Sequence, residues 1–287
     1  MESTKERAVL GCERPIALIT GASSGLGEEY AWQLAATGYD LLLVARREGE
    51  LRRLQTEIES AYGIRCEPFP CDLADTISLA RLEERIGQLE NLEFLINNAG
   101  FGADSTFPDA DLDLMTAMIQ VHCTATMRIS GAGMRVMRAR KKGYIINVSS
   151  IAAFLYGTGV AQYSATKAYV LAFTRSIACD ARRHGIHVQA LCPGFIHTGF
   201  HTTETMRGFD KSKTPGISWL SPEFVVRKSL ASVRGKNPPA VYVPSLRHKL
   251  AAMIFNAPFA DPLIRLLAVR RAVARKNAEK QESERKA

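Results

Sequence analysis

An α/β fold built on a doubly wound parallel sheet is predicted by three features of the chain: short continuous apolar runs, helical patterns between them, and a three-glycine turn after the first run. Strands buried on both faces read as unbroken apolar segments, whereas half-exposed strands alternate. Ile16 to Ile19 and Leu41 to Val44 are of the unbroken kind. Between them, Leu26 to Ala36 has helical period and Gly38 closes it, so the chain begins β-α-β. Further strand-like segments fall near Cys66 to Pro70, Glu93 to Asn97, Tyr144 to Ser149, His187 to Leu191 and Ala240 to Val243. Helical patterns fill the intervals, notably Leu79 to Leu89, Asp113 to Arg138, Tyr163 to Arg182 and Pro222 to Val233. Phe195 to Leu220 has no clear period and is rich in Thr, Gly and aromatics, which predicts a mobile loop over a site.

With 287 residues, 46% of them hydrophobic, the chain is long enough for one large core with a small appendage. The expected boundaries are an N-terminal tail over 1–13, the α/β domain over 14–245, and a helical, basic extension over 246–287. No segment approaches ~18 consecutive apolar residues, and the first residues lack the basic-then-apolar order of a secretion signal. A cytoplasmic location is expected. The six cysteines (Cys12, Cys66, Cys71, Cys123, Cys179, Cys192) form no C-x-x-C pair and stand apart from histidines at ligand spacing, so no metal site is expected. Most of the net charge of +8 sits in the tail, where eight basic residues face three acidic ones from Arg265 onward. Without interleaved stacking aromatics, that cluster does not read as a nucleic-acid surface.

The first turn reads Thr20-Gly21-Ala22-Ser23-Ser24-Gly25-Leu26-Gly27, with glycines where a strand hands over to a helix. Glycine there lets the backbone approach a pyrophosphate, and the helix start favours negative charge. The spacing is G-x-x-x-G-x-G, and its setting between strand and helix makes a dinucleotide the expected ligand. After the second strand, the place of an acid that would bind a ribose 2′-hydroxyl is held by Ala45, followed by Arg46 and Arg47. Two guanidinium groups suit a 2′-phosphate, so NADP(H) is expected in preference to NAD(H); the alternative is a pair of solvated surface arginines.

Tyr163 and Lys167 lie four apart on a helical pattern and project from one face. A nearby ammonium lowers a phenol's pKa, which would make Tyr163 a usable proton donor and acceptor. Ser150, at the end of an apolar strand, can orient a carbonyl.

Taken in order, these motifs resemble the short-chain dehydrogenase/reductase family over roughly residues 15 to 243. Thr20 to Gly27 matches its glycine motif, Asp72-Leu73 its adenine-site acid, and Asn97-Asn98-Ala99-Gly100 its N-N-A-G. Ser150, Tyr163-Ser164-Ala165-Thr166-Lys167 and Pro193-Gly194 with Thr198 complete the match. The resemblance implies a Rossmann-type catalytic domain in which Tyr163 protonates the substrate oxygen, Lys167 holds the ribose and Ser150 stabilises the oxyanion. It implies that Gly21, Ser23, Ser24, Gly25, Leu26 and Gly27 hold phosphates and Asp72 and Leu73 the adenine. Asn98, Ala99 and Gly100 would line the adjoining ribose region, and Pro193, Gly194, Ile196 and Thr198 the nicotinamide end. It also implies a homodimer or homotetramer. The family's fourth catalytic residue is usually an asparagine; His122 stands there, either as a participant in a proton relay or as an ordinary helix residue.

Phe101, Phe154, Leu155, Tyr156, Phe195, Phe200, Met206, Phe209 and Trp219 are candidate pocket residues, with His197, His201 and Arg207 the basic residues among them. Such a lining predicts a small lipophilic ketone, aldehyde or alcohol as substrate. Leu246, Leu250, Met253, Ile254 and Phe255, then Leu263 to Val269, form apolar clusters beside basic residues. Residues 246–287 therefore read either as a peripheral membrane-surface segment or as a helix docked on the domain or a partner copy. The competing functional reading is a cofactor-binding scaffold without turnover.

Overall fold

The computed structural model describes residues 14–103, 106, 107, 109–155, 159–206, 219–255, 262 and 269. Tyr156, Arg207, Phe209 and the basic run after Arg265 lie outside the described residues. The chain order is β1 (Ile16–Thr20), α1 (Gly25–Ala35), β2 (Asp40–Ala45), α2 (Glu48–Tyr62), β3 (Cys66–Pro70), α3 (Thr76–Gly87) and β4 (Leu92–Asn97). A long helix follows: α4 (Leu112–Ile119), a π-helical turn (Gln120–Ala125) and α5 (Thr126–Arg140). Next come β5 (Gly143–Val148), a 3-10 turn (Ile151–Phe154), α6 (Ala161–Arg182) and β6 (Ile186–Leu191). The chain continues through β7 (Phe195–Ile196), β8 (Trp219–Leu220), α7 (Pro222–Val233), β9 (Val241–Tyr242) and α8 (Leu246–Phe255).

Seven strands form one sheet in the order β3-β2-β1-β4-β5-β6-β9, and every pair is parallel. Alternation along the strands sends side chains to two separate cores. Ala17, Ile19, Leu41 and Leu43 join α1, α2 and α7 on one face. Ile16, Leu18, Leu42 and Val44 join α3, α5 and α6 on the other. The expected doubly wound, Rossmann-type sheet is therefore present. The strand order reverses between β1 and β4, which places a crevice at their carboxyl ends.

One expectation needs revision. The segment after β6 is not without structure: β7 and β8 pair in parallel, Phe195 beside Trp219 and Ile196 beside Leu220. Two 3-10 turns, Gly199–Thr202 and Glu204–Met206, follow β7. Short strands separated by more than twenty residues carry no periodic signal, which is why the sequence hides them.

A buried polar chain fixes α6 against the sheet. Asn97 Nδ2 donates to Asn147 Oδ1 at 2.8 Å and to Ser130 Oγ at 3.0 Å, joining β4, β5 and α5. Asn147 Nδ2 then donates to Thr174 Oγ1 at 3.0 Å, and Thr174 Oγ1 to the Val170 carbonyl at 2.6 Å. Low local dielectric strengthens such bonds and makes any orphaned member costly. Asn147→Leu is expected to destabilise the fold by about 2–4 kcal/mol, since it leaves the amide of Asn97 without its acceptor on β5 and removes Thr174's donor. Urea unfolding measures this; a loss within the error of the wild-type midpoint would show the chain to be unimportant.

Candidate active site

The glycine turn is built by close approach. Gly21 (φ +66°) and Gly25 (φ +61°) occupy the left-handed region. A side-chain carbon at Gly21 would come within 2.9 Å of Ala99 Cα, and one at Gly27 would collide with the Gly21 carbonyl. Thr20 Oγ1 accepts from the backbone N–H of Asn98 (3.0 Å) and of Ala99 (3.1 Å). Asn98 Nδ2 donates back to the carbonyls of Thr20 (3.0 Å) and Gly21 (3.3 Å). The ends of β1 and β4 thus form one wall, tied by the Asn98 amide. Thr198 arrives from β7, with its methyl 3.2 Å from where a carbon on Gly25 would stand.

Arg47 lies over this turn: its Nη2 donates to Ser23 Oγ at 2.9 Å and to the Ser23 carbonyl at 3.1 Å. Arg46 is exposed beside it. Asp72 is exposed, and its Oδ1 accepts from the Ala74 N–H at 3.0 Å, while Leu73 is buried. The left-handed glycines, the helix start and the Arg47 guanidinium together suit a phosphorylated dinucleotide.

Ser150, Tyr163 and Lys167 meet at the ends of β5 and α6. Lys167 Nζ donates to the Val148 carbonyl at 3.0 Å, and Ser149 Oγ to the Lys167 carbonyl at 2.7 Å. Lys167 Nζ also stands 5.6 Å from the centre of the Tyr163 ring and 3.5 Å from where a carbon on Gly100 would sit. Helix α6 therefore abuts the turn that continues the glycine wall. Ser150 Oγ accepts from the Ala152 N–H at 3.1 Å and is hydrogen-bonded to Tyr163.

The titration of this pair departs from the sequence expectation. Packing around the Tyr163 phenol pushes it up to about 12, against a smaller downward pull from Ser150. Burial drops the Lys167 ammonium to about 8. Desolvation outweighs the Ser150 hydrogen bond, so the phenol keeps its proton at neutral pH instead of approaching its ionisation point.

His122 is buried in the π-helical turn. Its Nε2 accepts from the Phe101 N–H at 3.1 Å and its Nδ1 lies 2.9 Å from Thr166 Oγ1, which donates to the Tyr163 carbonyl at 2.9 Å. Burial, with the Lys167 charge second, holds the imidazole well below its usual pKa, so it is neutral. Thr166 belongs to a motif the sequence displays, yet nothing in its spacing announces this role.

Apolar side chains roof the site. Phe200 lies 5.9 Å from the Tyr163 ring, centre to centre, and Thr205 Oγ1 donates to the Gly102 carbonyl at 2.6 Å. A carbon at Gly102 would press on Phe200 and Met206, so this turn closes against the loop after β4. Phe195 and Trp219 stand 5.3 Å apart at the β7–β8 pair. A feature outside every motif joins them: the His248 ring of α8 lies so close over Gly194 that any side chain there would collide with it. Two turns of sequence around His248 show only a basic, apolar helix, so no signal marked it.

The profile of the short chain dehydrogenase family matches residues 15–207. The chain is 34% identical over 226 residues to a very-long-chain 3-oxoacyl-CoA reductase of Phaeosphaeria nodorum, covering 76% of this chain and 62% of that protein. It therefore spans less than two thirds of that relative's length. It is 29% identical over 213 residues to a 3-oxoacyl-acyl-carrier-protein reductase of Aquifex aeolicus, covering 73% of this chain and 86% of that protein. Among solved structures it is similar to a short-chain dehydrogenase from Sphingobium yanoikuyae in complex with NADPH, with a TM-score of 0.75 at 29% identity over 83% of this chain and 92% of that one.

Proposed function

We propose that this chain, which belongs to the short chain dehydrogenase family and is an NAD(P)-dependent oxidoreductase, takes NADP(H) and reduces lipophilic ketones or aldehydes, with 3-oxoacyl thioesters the first class to test. The observation that carries the reading is the junction of Tyr163, Ser150 and Lys167 with the glycine wall through Gly100. The NADPH-bound relative and the seat of Arg47 at Ser23 support NADP(H) over NAD(H). The substrate class is supported by the apolar roof and by a cleft of about 330 Å³ beside it, lined by Ala103, Phe107, Ala110, Met115, Val160 and Ala165 among others.

The residues that would hold the dinucleotide are the backbone of Gly21 to Gly27, Arg46 and Arg47 at the 2′-phosphate, Asp72 and Leu73 at the adenine, Lys167 at a ribose, and Pro193 to Thr198 at the nicotinamide. When bound, the nicotinamide supplies the hydride. The chain supplies the proton: Tyr163 Oη gives it to the substrate oxygen as charge develops there, and the Ser150 hydroxyl stabilises that charge. Tyr163 is left as a phenolate, which the Lys167 ammonium favours until solvent restores the proton. The neutral phenol of the resting site is the form reduction requires.

Two wider assignments belong to the same reading. Leu246, Leu250, Met253 and Ile254 are exposed on α8 beside basic Arg247 and Lys249, which supports contact with an anionic lipid surface from a cytoplasmic protein. No helix among the described residues is long and apolar enough to cross a membrane. Ile119, Met127 and Tyr169, exposed along α4 to α6, support a homodimer or homotetramer. Vesicle sedimentation unchanged by Leu250→Asp would refute the first, and a monomeric mass by light scattering the second.

Tyr163→Phe is expected to lower kcat for NADPH-dependent ketone reduction by at least about a hundredfold while NADPH still binds. In the wild type, kcat is expected to hold from pH 6 to near 8 and decline above it, because Lys167 loses its proton there. Retained turnover in the Tyr163→Phe protein, or a rate that climbs through pH 9, would remove Tyr163 and Lys167 from these roles. Arg47→Ala is expected to weaken NADPH binding roughly tenfold or more and NADH binding far less, as loss of a charge-assisted phosphate contact predicts. Fluorescence titration with both dinucleotides decides it; equal losses would return Arg47 to the solvated surface.

A further inference from the structure

We propose that His122 is a positioning residue, a strut hydrogen-bonded at both ring nitrogens that fixes the turn after β4 to the first turn of α6 and takes no part in proton transfer. The proposal rests on the reading of Tyr163 as proton donor and deepens it.

The direction of every hydrogen in the chain is set by groups that have no choice. A backbone N–H can only donate, so the Phe101 N–H requires a lone pair on His122 Nε2. A carbonyl can only accept, so the Thr166 hydroxyl hydrogen is committed to the Tyr163 carbonyl. Thr166 Oγ1 then has only acceptor capacity left, and Nδ1 must carry the ring hydrogen that it receives. Protonating the ring would aim a second hydrogen from Nε2 at the Phe101 N–H, beside the Lys167 ammonium. A relay through either nitrogen would have to break a tie that holds the site.

The fold gives the strut a task. The first turn of α6 starts at Ala161, two residues before Tyr163, and its N-cap residue, Val160, supplies no side-chain hydrogen bond. Helix ends without caps fray. The bond from Thr166 grips the Tyr163 carbonyl, and His122 carries that grip across to Phe101. The π-helical turn Gln120–Ala125 presents the ring at this junction, and π turns recur at functional sites. Gly100 lies so near that a side-chain carbon would stand 2.8 Å from Nε2. The ring also meets Phe101 and Tyr163 edge to face, with centres 5.7 and 6.0 Å apart.

Two measurements on the full chain test this. In nitrogen-15 NMR of histidine-labelled protein without cofactor, the signal lost in His122→Phe is expected to stay in the neutral, Nδ1-protonated form from pH 5 to 8. Titration inside that window, or protonation at Nε2, overturns the strut. In kinetics, His122→Phe and Thr166→Val are each expected to lower kcat roughly tenfold to a hundredfold, the range for a small misplacement of a catalytic group. NADPH affinity and the shape of the pH profile should be conserved. The double variant should be little worse than either single one, and Thr166→Ser should recover most of the loss seen in Thr166→Val. Wild-type kcat in Thr166→Val, a displaced pH limb or fully additive losses overturn it, and Thr166→Val carries the kinetic test alone if His122→Phe does not fold. The NMR result needs no turnover, so a chain that holds the tautomer yet reduces no carbonyl sinks the functional reading and leaves the strut standing.

Discussion

The site depends on one steric constraint: the ends of β1 and β4 and the start of α1 pass so close that nothing larger than a hydrogen fits at Gly21 and Gly27. Thr20 and Gly21 turn that proximity into fixed geometry with Asn98 and Ala99 through four hydrogen bonds across the gap. Parallel strands from separate βα units have no covalent reason to keep their loops in register, so the contact does the registering. Gly100, three residues beyond β4, then meets His122 and Lys167, and through them the position of α6 is referred to the same wall. A change in the glycine turn would reach the phenol by way of packed atoms, although the two are more than 130 residues apart in the chain.

Around that wall the electrostatics are governed by burial more than by charge pairing. Lys167 is buried with a backbone carbonyl as hydrogen-bond acceptor and the thiols of Cys123 and Cys192 nearby. Both thiols are themselves driven upward by burial, so neither neutralises the ammonium. A positive charge held this way repels protonation of His122 and would favour a phenolate once one forms. The neutral phenol at rest follows from its own burial, whereas the neighbouring ammonium acts the other way and would favour a phenolate only once one forms.

Much of this was legible in the sequence because local rules decide it. Ile16 to Ile19 reads as a doubly buried strand since each residue packs on one core or the other. Cys66 to Pro70 is a strand despite Pro68 and Pro70, because β3 is the sheet edge and pairs only with β2. The glycine spacing, Ser150, Tyr163 and Lys167 could be placed for the same reason: each motif sits at the end of a recognisable element. What stayed hidden depends on distant partners. His122 reaches Phe101 and Thr166, 21 and 44 residues away, and no periodicity encodes a hydrogen bond across that gap. The four-residue spacing of Tyr163 and Lys167 exposed their proximity but not their burial, so it gave the wrong direction for the phenol. Asn98 was expected to line a ribose region, and no spacing in the sequence shows that its amide ties the carbonyls of Thr20 and Gly21.

The extension beyond the family match adds a final constraint. Gly194 follows Pro193 at the end of β6, and in isolation its lack of a side chain would be put down to the approach of a ligand. Here the His248 ring from α8 occupies the space a side chain would need. The same helix packs against the 3-10 turn that follows Ser150, so its inner face touches both segments that frame the reacting groups. Its outer face leaves Leu246 82% and Met253 63% exposed. The helix therefore packs on Gly194 and the turn after Ser150 with one face and offers apolar residues with the other. Gly194 is thus held to glycine by a residue 54 positions later, and α8 belongs to the packing of the site.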